Sequence, residues 1–292
     1  ANPLLTFHNL DITTVELNHP IFRDVDWLFH MAGIGDIVPS IERPLDYFHT
    51  NAFGTTRIAE AARNANVKRV VYAASSSCYG IAAVPTNELA PIDPQYPYAL
   101  TKYIGEQTLF HWHQVYGLPV NSIRIFNAYG PRSRTSGAYG AVFGVFLRQK
   151  LAGKPLTVVG DGMQSRDFVY ATDVARAFVA AARTDTVGEI YNIGFGSPRT
   201  IYDLTKMLSS EIVRIPERPG EPKCTWADIS KITKELGWKP IVTLEEGVRE
   251  LLKQISYWND APLWDPSSIE GATKTWFDYL GSGSVPEEPI TK

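Results

Sequence analysis

A chain of 292 residues holds one large domain or two modest ones. At 44% hydrophobic and 20% charged residues it is not a disordered chain. A formal net charge of −3 excludes a nucleic-acid module built on a basic face and leaves small anionic ligands open. In chain order, Asp26–Met31 reads as a buried strand, Pro44–Asn66 has helical spacing, and Lys68–Ala74 is a second apolar strand. Pro97–Tyr116 is helical and Asn121–Phe126 is a third strand. Strands alternating with long helices predict right-handed crossovers and an α/β, doubly wound parallel sheet. From about Gly130 turns become frequent, in YGPRSRTSGAYG, VVGDG, GFGSPRT and IPERPGEP, and the strands LTVV and EIYNI are short. Helices are predicted over Ile201–Leu208, Asp228–Leu236 and Leu244–Trp258. The expected organisation is a sheet domain over 1–130, a smaller mixed α/β cap over 131–281 with interleaved segments, and a loose polar tail over 282–292.

Cys78 and Cys224 are the two cysteines, too few for a disulfide framework, so a reducing, cytoplasmic setting is expected. No apolar run approaches the roughly 20 residues of a membrane-spanning helix. The opening ANPLLTFHNLDITT has no basic region followed by a long apolar stretch, so no signal peptide is expected. His111 and His113 share a helix without partner ligands, and no metal site is expected.

A doubly wound nucleotide-binding sheet opens with a strand, a Gly-rich turn and a helix, and the turn's N–H groups hold a pyrophosphate. No G-x-G-x-x-G precedes Asp26. Gly194-Phe195-Gly196 follows a strand but comes late and lacks a third glycine at the right offset. Either the natural chain has a segment before residue 1, or half of a cofactor site has been lost.

Tyr98 and Lys102 stand at i and i+4, one above the other on a helix face. A nearby ammonium stabilises a phenolate, which can then take a proton from a sugar hydroxyl while hydride leaves the same carbon. Tyr202 and Lys206 have identical spacing and serve as an internal control. Context separates the two pairs. The strand before Tyr98 ends in Ser75-Ser76-Ser77, hydroxyls at the edge where parallel sheets bind ligands, and nothing comparable precedes Tyr202. The structural alternative for the three serines is a polar turn capping a strand.

These residues resemble the extended short-chain dehydrogenase/reductases of the nucleotide-sugar epimerase/dehydratase group, with a pattern most like UDP-galactose/UDP-N-acetylgalactosamine 4-epimerases. Matching pieces are LDI at 10–12, HMAG at 30–33, the Asn51 helix, YAASSSCYG at 72–80, PYALTK at 97–102 and RIFNAYGPR at 124–132. GDGMQSRDFVYATDVA at 160–175, YNIG at 191–194 and RPGEPKCTWADISK at 218–231 complete the set. The resemblance implies a Rossmann-like sheet, NAD as cofactor, a nucleotide-sugar substrate and a homodimer paired through Pro44–Asn66 and Pro97–Tyr116. It implies Tyr98 as base, Lys102 on the nicotinamide ribose and Ser75 as hydroxyl partner. Asp11 and Ile12 would meet adenine; Ala32, Gly33 and Ala73 would let the backbone approach the cofactor; Asn51 would hold the loop beneath it. Ser76 and Ser77 would face the sugar, and Asn127 the sugar or diphosphate. Arg166 and Arg218 would bind the diphosphate. The backbone of Leu156-Thr157-Val158 would read the pyrimidine, and Glu221 or Asp228 would reach its ribose or brace the site. Asp228 is equally a helix N-cap, and Tyr170 and Asp173 read as structural.

The reaction follows from what is absent after Ser75. The 4,6-dehydratases of this group carry Asp-Glu there, because eliminating water needs an acid and a base. Ser76 and Ser77 do not ionise near neutral pH, so 4-epimerisation of a UDP-hexose through a 4-keto sugar is expected. The alternatives are a 4,6-dehydratase or other epimerase and, in a different class, a non-catalytic binding regulator. Cys78 reads as a small buried residue, not an acid or base. Gly35, where several simple hexose epimerases carry Lys, points to an N-acetylated or oxidised sugar.

Overall fold

The computed structural model of the chain describes residues 2–133, 142–208 and 210–280. Residues 134–141, within the turn-rich stretch, and the whole tail 282–292 lie outside the described residues. Strands β1 (Trp27–His30), β2 (Arg69–Ser75), β3 (Val120–Ile125) and β8 (Glu189–Ile193) form one sheet in the order β1-β2-β3-β8. Every pairing in it is parallel. EIYNI, far along the chain, thus completes the first sheet.

Both faces are covered, and strand alternation shows how. Val70, Tyr72 and Ala74 pack with Ala59, Ala62 and Leu109, from α3 (Thr55–Asn64) and α4 (Pro97–Tyr116). Val71 and Ile123 point the other way, onto Ala177, Phe178 and Ala181 of α6 (Ala171–Arg183) and Ile232 of α8 (Ser230–Leu236). This is the doubly wound arrangement that the alternating pattern predicts.

Most predicted elements hold with small shifts. Helix α4 spans the predicted residues: Pro97 opens it, and Gly117, at φ 71°, closes it. The helical run from Pro44 is three pieces, α2 (Pro44–Tyr47), a π-helical turn over Phe48–Gly54, and α3. Helix α8 starts at Ser230, whose N–H donates to Asp228 Oδ1 at 2.9 Å, so Asp228 braces the helix start. Helix α9 (Leu244–Lys253) has a reciprocal Thr243–Glu246 capping box and ends before a 3-10 turn at Ile255–Trp258. The pattern did not reveal α1 (Ile37–Glu42), α5 (Val142–Leu151), α6 or α10 (Pro266–Leu280).

A second core lies beyond the sheet. Strands β5 (Leu156–Val159) and β10 (Ile212–Ile215) pair in parallel, as do β4 (Asn127–Tyr129) and β7 (Phe168–Tyr170), while β6 (Ser165–Arg166) and β9 (Arg199–Thr200) pair antiparallel. Their apolar side chains pack with α5, α7 (Ile201–Leu208) and α9 around Phe146, Leu204, Leu251 and Trp258. Among the described residues no helix is long and apolar enough to cross a membrane.

Candidate active site

Ser75 ends β2 at the carboxyl edge of the sheet, and a 3-10 turn over Ser76–Tyr79 follows at once. Ser75 Oγ accepts from the Ser77 N–H at 3.2 Å and lies 2.8 Å from Ser77 Oγ. Tyr98, in the first turn of α4, lies beside the Ser75 side chain where both line a cleft. Its ring is stacked on Tyr96 and meets Tyr47 edge-on, each with centroids 6.4 Å apart. Burial pushes the Tyr98 hydroxyl above its ordinary pKa; the nearby Ser75 hydroxyl opposes the rise and the Asp36 charge adds to it.

The helix places Lys102 one turn beyond Tyr98. Lys102 Nζ lies over the Tyr72 ring, 4.4 Å from its centroid. Burial pulls it down to about 8, and the Glu106 charge opposes that fall. Both groups are desolvated, and the ammonium turns toward Gly33. A Cβ on Gly33 would lie 3.9 Å from that nitrogen and 2.9 Å from Asn51 Oδ1. Asn51 is buried and clamps the same loop from both sides. Its Oδ1 accepts from the Ile34 N–H at 2.8 Å, and its Nδ2 donates to the Ile34 carbonyl at 3.0 Å.

Ser75–Ser77 and Tyr98 form one end of a cleft of about 570 Å³, and Arg166, Arg218 and Glu221 line it further along. Glu221 is counter-ion to both arginines, at 2.5 Å from Arg166 and 3.7 Å from Arg218. Asn127 also lines the cleft; its Oδ1 accepts from Thr225 Oγ1 at 2.7 Å. For the predicted pyrimidine stretch the side chains divide by alternation. Leu156 and Val158 are buried in the second core, so Thr157 and Val159 are the ones that line the cleft. The Leu156 N–H donates to the Glu211 carbonyl at 2.7 Å, and the Thr157 N–H to Gln149 Oε1 at 3.0 Å.

The remaining predicted residues lie apart from the cleft. Asp11 is exposed, and its carboxylate accepts from the Thr13 N–H and hydroxyl at 2.8 Å, bonds that hold its pKa below the ordinary value. Ile12 packs at Gly54, where a Cβ would stand 2.8 Å from Ile12 Cδ1. Ala32 is exposed just beyond β1, and Ala73 is half-buried in β2. The Gly194-Phe195-Gly196 turn is engaged by Asp167, whose Oδ1 accepts from the N–H of Phe195 at 2.7 Å and of Gly196 at 3.0 Å. Cys78 is buried, and burial pushes its thiol up to about 12, in keeping with an unreactive role. Asp173 accepts from the N–H groups of Ile241 and Val242 at 2.9 Å, a structural task. Among the described residues no three His, Cys, Asp or Glu side chains cluster to hold a metal.

Sequence reasoning missed Tyr96, Thr225 and Trp276 in the cleft wall. Trp276 comes from α10, and a signal for it exists: Asp265 accepts from the Ser268 N–H ahead of Pro266, and Ile269, Thr273 and Trp276 form a buried stripe.

A parallel sheet presenting Ser75, Tyr98 and Lys102 at its carboxyl edge, beside a cleft with paired arginines, defines a short-chain dehydrogenase/reductase. Within that class the chain belongs to the NAD dependent epimerase/dehydratase family, whose profile matches residues 1–194. It is similar to UDP-glucuronate 4-epimerase of Thermodesulfobacterium geofontis, 34% identical over 254 residues, covering 83% of this chain and 77% of the relative. Among solved structures it is similar to UDP-glucuronic acid 4-epimerase from Bacillus cereus in complex with UDP-glucuronic acid and NAD. The TM-score is 0.78 at 33% identity, over 85% of this chain and 80% of that one. UDP-N-acetylglucosamine 4-epimerase from Methanobrevibacter ruminantium, in complex with UDP-N-acetylmuramic acid, also has a TM-score of 0.78 at 32% identity, over 84% and 82%.

The residues present fit the ribose end of a dinucleotide. Lys102 supplies a buried cation whose contact is an aromatic face and to which, among the described residues, no carboxylate hydrogen-bonds, and Gly33 beside it leaves the backbone bare. Hydroxyls of a ribose are the acceptors such a cation lacks.

Proposed function

We propose that this chain catalyses the NAD-dependent 4-epimerisation of a UDP-linked hexose. The observation that carries the reading is the placement of Ser75 and Tyr98 side by side on the wall of a cleft, where the next two residues, Ser76 and Ser77, carry no ionisable group. NAD held beside Lys102 and Gly33 would supply the acceptor, and then the donor, for the hydride of the sugar C4. Tyr98 takes the proton of the C4 hydroxyl, with the Ser75 hydroxyl hydrogen-bonded to the same oxygen. Lys102 binds the ribose and brings a positive charge toward the phenol. Arg166 and Arg218 hold the diphosphate while the hexose turns its other face toward the cofactor, and Tyr98 then returns the proton to the C4 oxygen.

An N-acetyl or carboxylate substituent on the sugar is supported by the room at Gly35, where a Cβ would meet nothing within 4 Å, and by the hydroxyl-rich wall. The two solved relatives named above carry such sugars in their complexes. A homodimer through the α2–α3 and α4 surfaces is supported by exposed apolar side chains there, with Leu45 at 80% and Phe53 at 47%. A cytoplasmic setting completes the reading.

Incubation with UDP-glucose, UDP-N-acetylglucosamine and UDP-glucuronate, followed by product chromatography, tests it. The expected product is the C4 epimer of at least one of them. A 4-keto-6-deoxy sugar as the product would replace the epimerase with a dehydratase. Neither NAD binding nor turnover would favour a binding regulator.

A further inference from the structure

Tyr72 meets Lys102 at both ends of that residue. Its ring face lies 4.4 Å from the ammonium, and its hydroxyl donates to the Lys102 backbone carbonyl at 3.2 Å. Tyr72 is completely buried in β2, among valines and alanines that a leucine would match in bulk. The fold makes room for the phenol in particular: a Cβ on Gly105 would stand 2.5 Å from the Tyr72 hydroxyl.

The charges around the ammonium leave this contact as its support. Glu106, one turn further along α4, spends its oxygens on Arg124 at 2.6 Å and on Ser122 at 2.7 Å. His30 of β1 packs on the Tyr72 ring with centroids 5.4 Å apart, and its Nε2 lies 2.8 Å from Thr55 Oγ1. Burial, with the Lys102 charge adding to it, pulls the His30 pKa down to about 3, so this ring stays uncharged near neutral pH. A neutral His–Tyr stack under a buried cation gives attraction without competing for its protons.

We propose that Tyr72 is a positioning residue for Lys102, its ring face holding the ammonium toward Gly33, where a cofactor ribose is received. The catalytic consequence rests on the epimerase reading; the positioning itself does not.

Protein labelled with [ε-13C]lysine separates the two. The ε-CH2 resonance of Lys102, assigned by its loss in Lys102→Arg, is expected well upfield of the other lysines because of the ring current. Tyr72→Phe keeps that displacement and most of the turnover, since the ring remains. Tyr72→Leu returns the resonance to the ordinary lysine position and lowers kcat about tenfold to thirtyfold, the worth of a desolvated cation–π contact, with KM for the nucleotide sugar little changed. A wild-type resonance at the ordinary position, or a displacement that survives Tyr72→Leu, overturns the proposal. If Tyr72→Leu does not fold, the wild-type and Tyr72→Phe spectra still decide. A displaced resonance in a wild-type protein without epimerase activity overturns the functional reading and leaves the positioning standing.

Discussion

Lys206 rests its ammonium 4.3 Å from the centre of the Tyr202 ring, on the exposed side of α7. The pair has the spacing of Tyr98 and Lys102 but not the surroundings. Tyr202 is 38% exposed, whereas Tyr98 lines the cleft beside Ser75. Tyr98→Phe is therefore expected to lower kcat by about 10²- to 10⁴-fold, the usual worth of a positioned acid–base group. Tyr202→Phe should stay within about twofold, as surface changes do. Steady-state epimerisation of both variants checks this, and equal losses would show that surroundings do not distinguish the two tyrosines.

Much of this was legible in the sequence because it is carried by short-range patterns. Apolar runs gave β2 and β3, Pro97 and Gly117 bracketed α4, and the order strand, serines, Tyr-x-x-x-Lys located the chemistry. What stayed hidden depends on where side chains go after folding. Spacing put Lys102 beneath Tyr98 but did not reveal that Tyr72 captures its ammonium from a neighbouring strand. Alternation in β5 sends Thr157 and Val159 to the cleft, a choice that a four-residue apolar strand does not disclose. Helix α6 lies in a stretch read only for motifs, and Trp276 enters the site from more than 170 residues away in sequence, beyond the reach of any local pattern.

Lys102 makes stability depend on pH. Its pKa falls from 10.5 to about 8 on folding, chiefly by burial. Between those values the unfolded chain binds the proton that the folded chain has released, so this residue makes stability rise with pH across about 8 to 10.5. Below about 8 both states are protonated and the cost of burying the cation is present in full. The groups facing it are Glu106 on α4, Tyr72 on β2 and His30 on β1, and the first is the charge that limits the fall. Urea unfolding of the wild type and Lys102→Met at pH 7 and pH 10 should differ by up to about 3 kcal/mol more at the lower pH, the variant being relatively more stable there. A difference that is flat in pH would remove the account of a buried cation.

Arg124 and Glu106 form an ion pair with side chains only 3% and 1% exposed, at 2.6 Å, and Tyr79 takes a further guanidinium donor at 2.9 Å. Removing one partner leaves the other charge buried and uncompensated. Glu106→Gln is expected to cost about 3 kcal/mol in urea unfolding, and the double variant Glu106→Gln with Arg124→Met to recover much of it. A loss from Glu106→Gln no larger than that of an ordinary surface change would mean that the pair contributes nothing by its burial.

Glu221 holds Arg166 at 2.5 Å and lies 3.7 Å from Arg218, so one carboxylate gathers both guanidinium groups on the cleft wall. Arg166 is further tied by donation to the carbonyls of Ser165 at 2.8 Å and Pro222 at 2.9 Å. A planar fork held this way suits two phosphate oxygens at once, which a lysine does not reproduce. The diphosphate does not react, so its grip should be the same in the ground and transition states. Loss of such uniform binding raises KM and leaves kcat in place. Arg166→Lys is expected to raise KM for the nucleotide sugar about tenfold with kcat within about twofold, a loss of roughly 1.4 kcal/mol. Glu221→Gln should raise KM less, because it removes the brace and leaves the charges that meet the substrate. Saturation kinetics on both variants read this directly; a fall in kcat at unchanged KM would place Arg166 in the chemical step and not in holding the diphosphate.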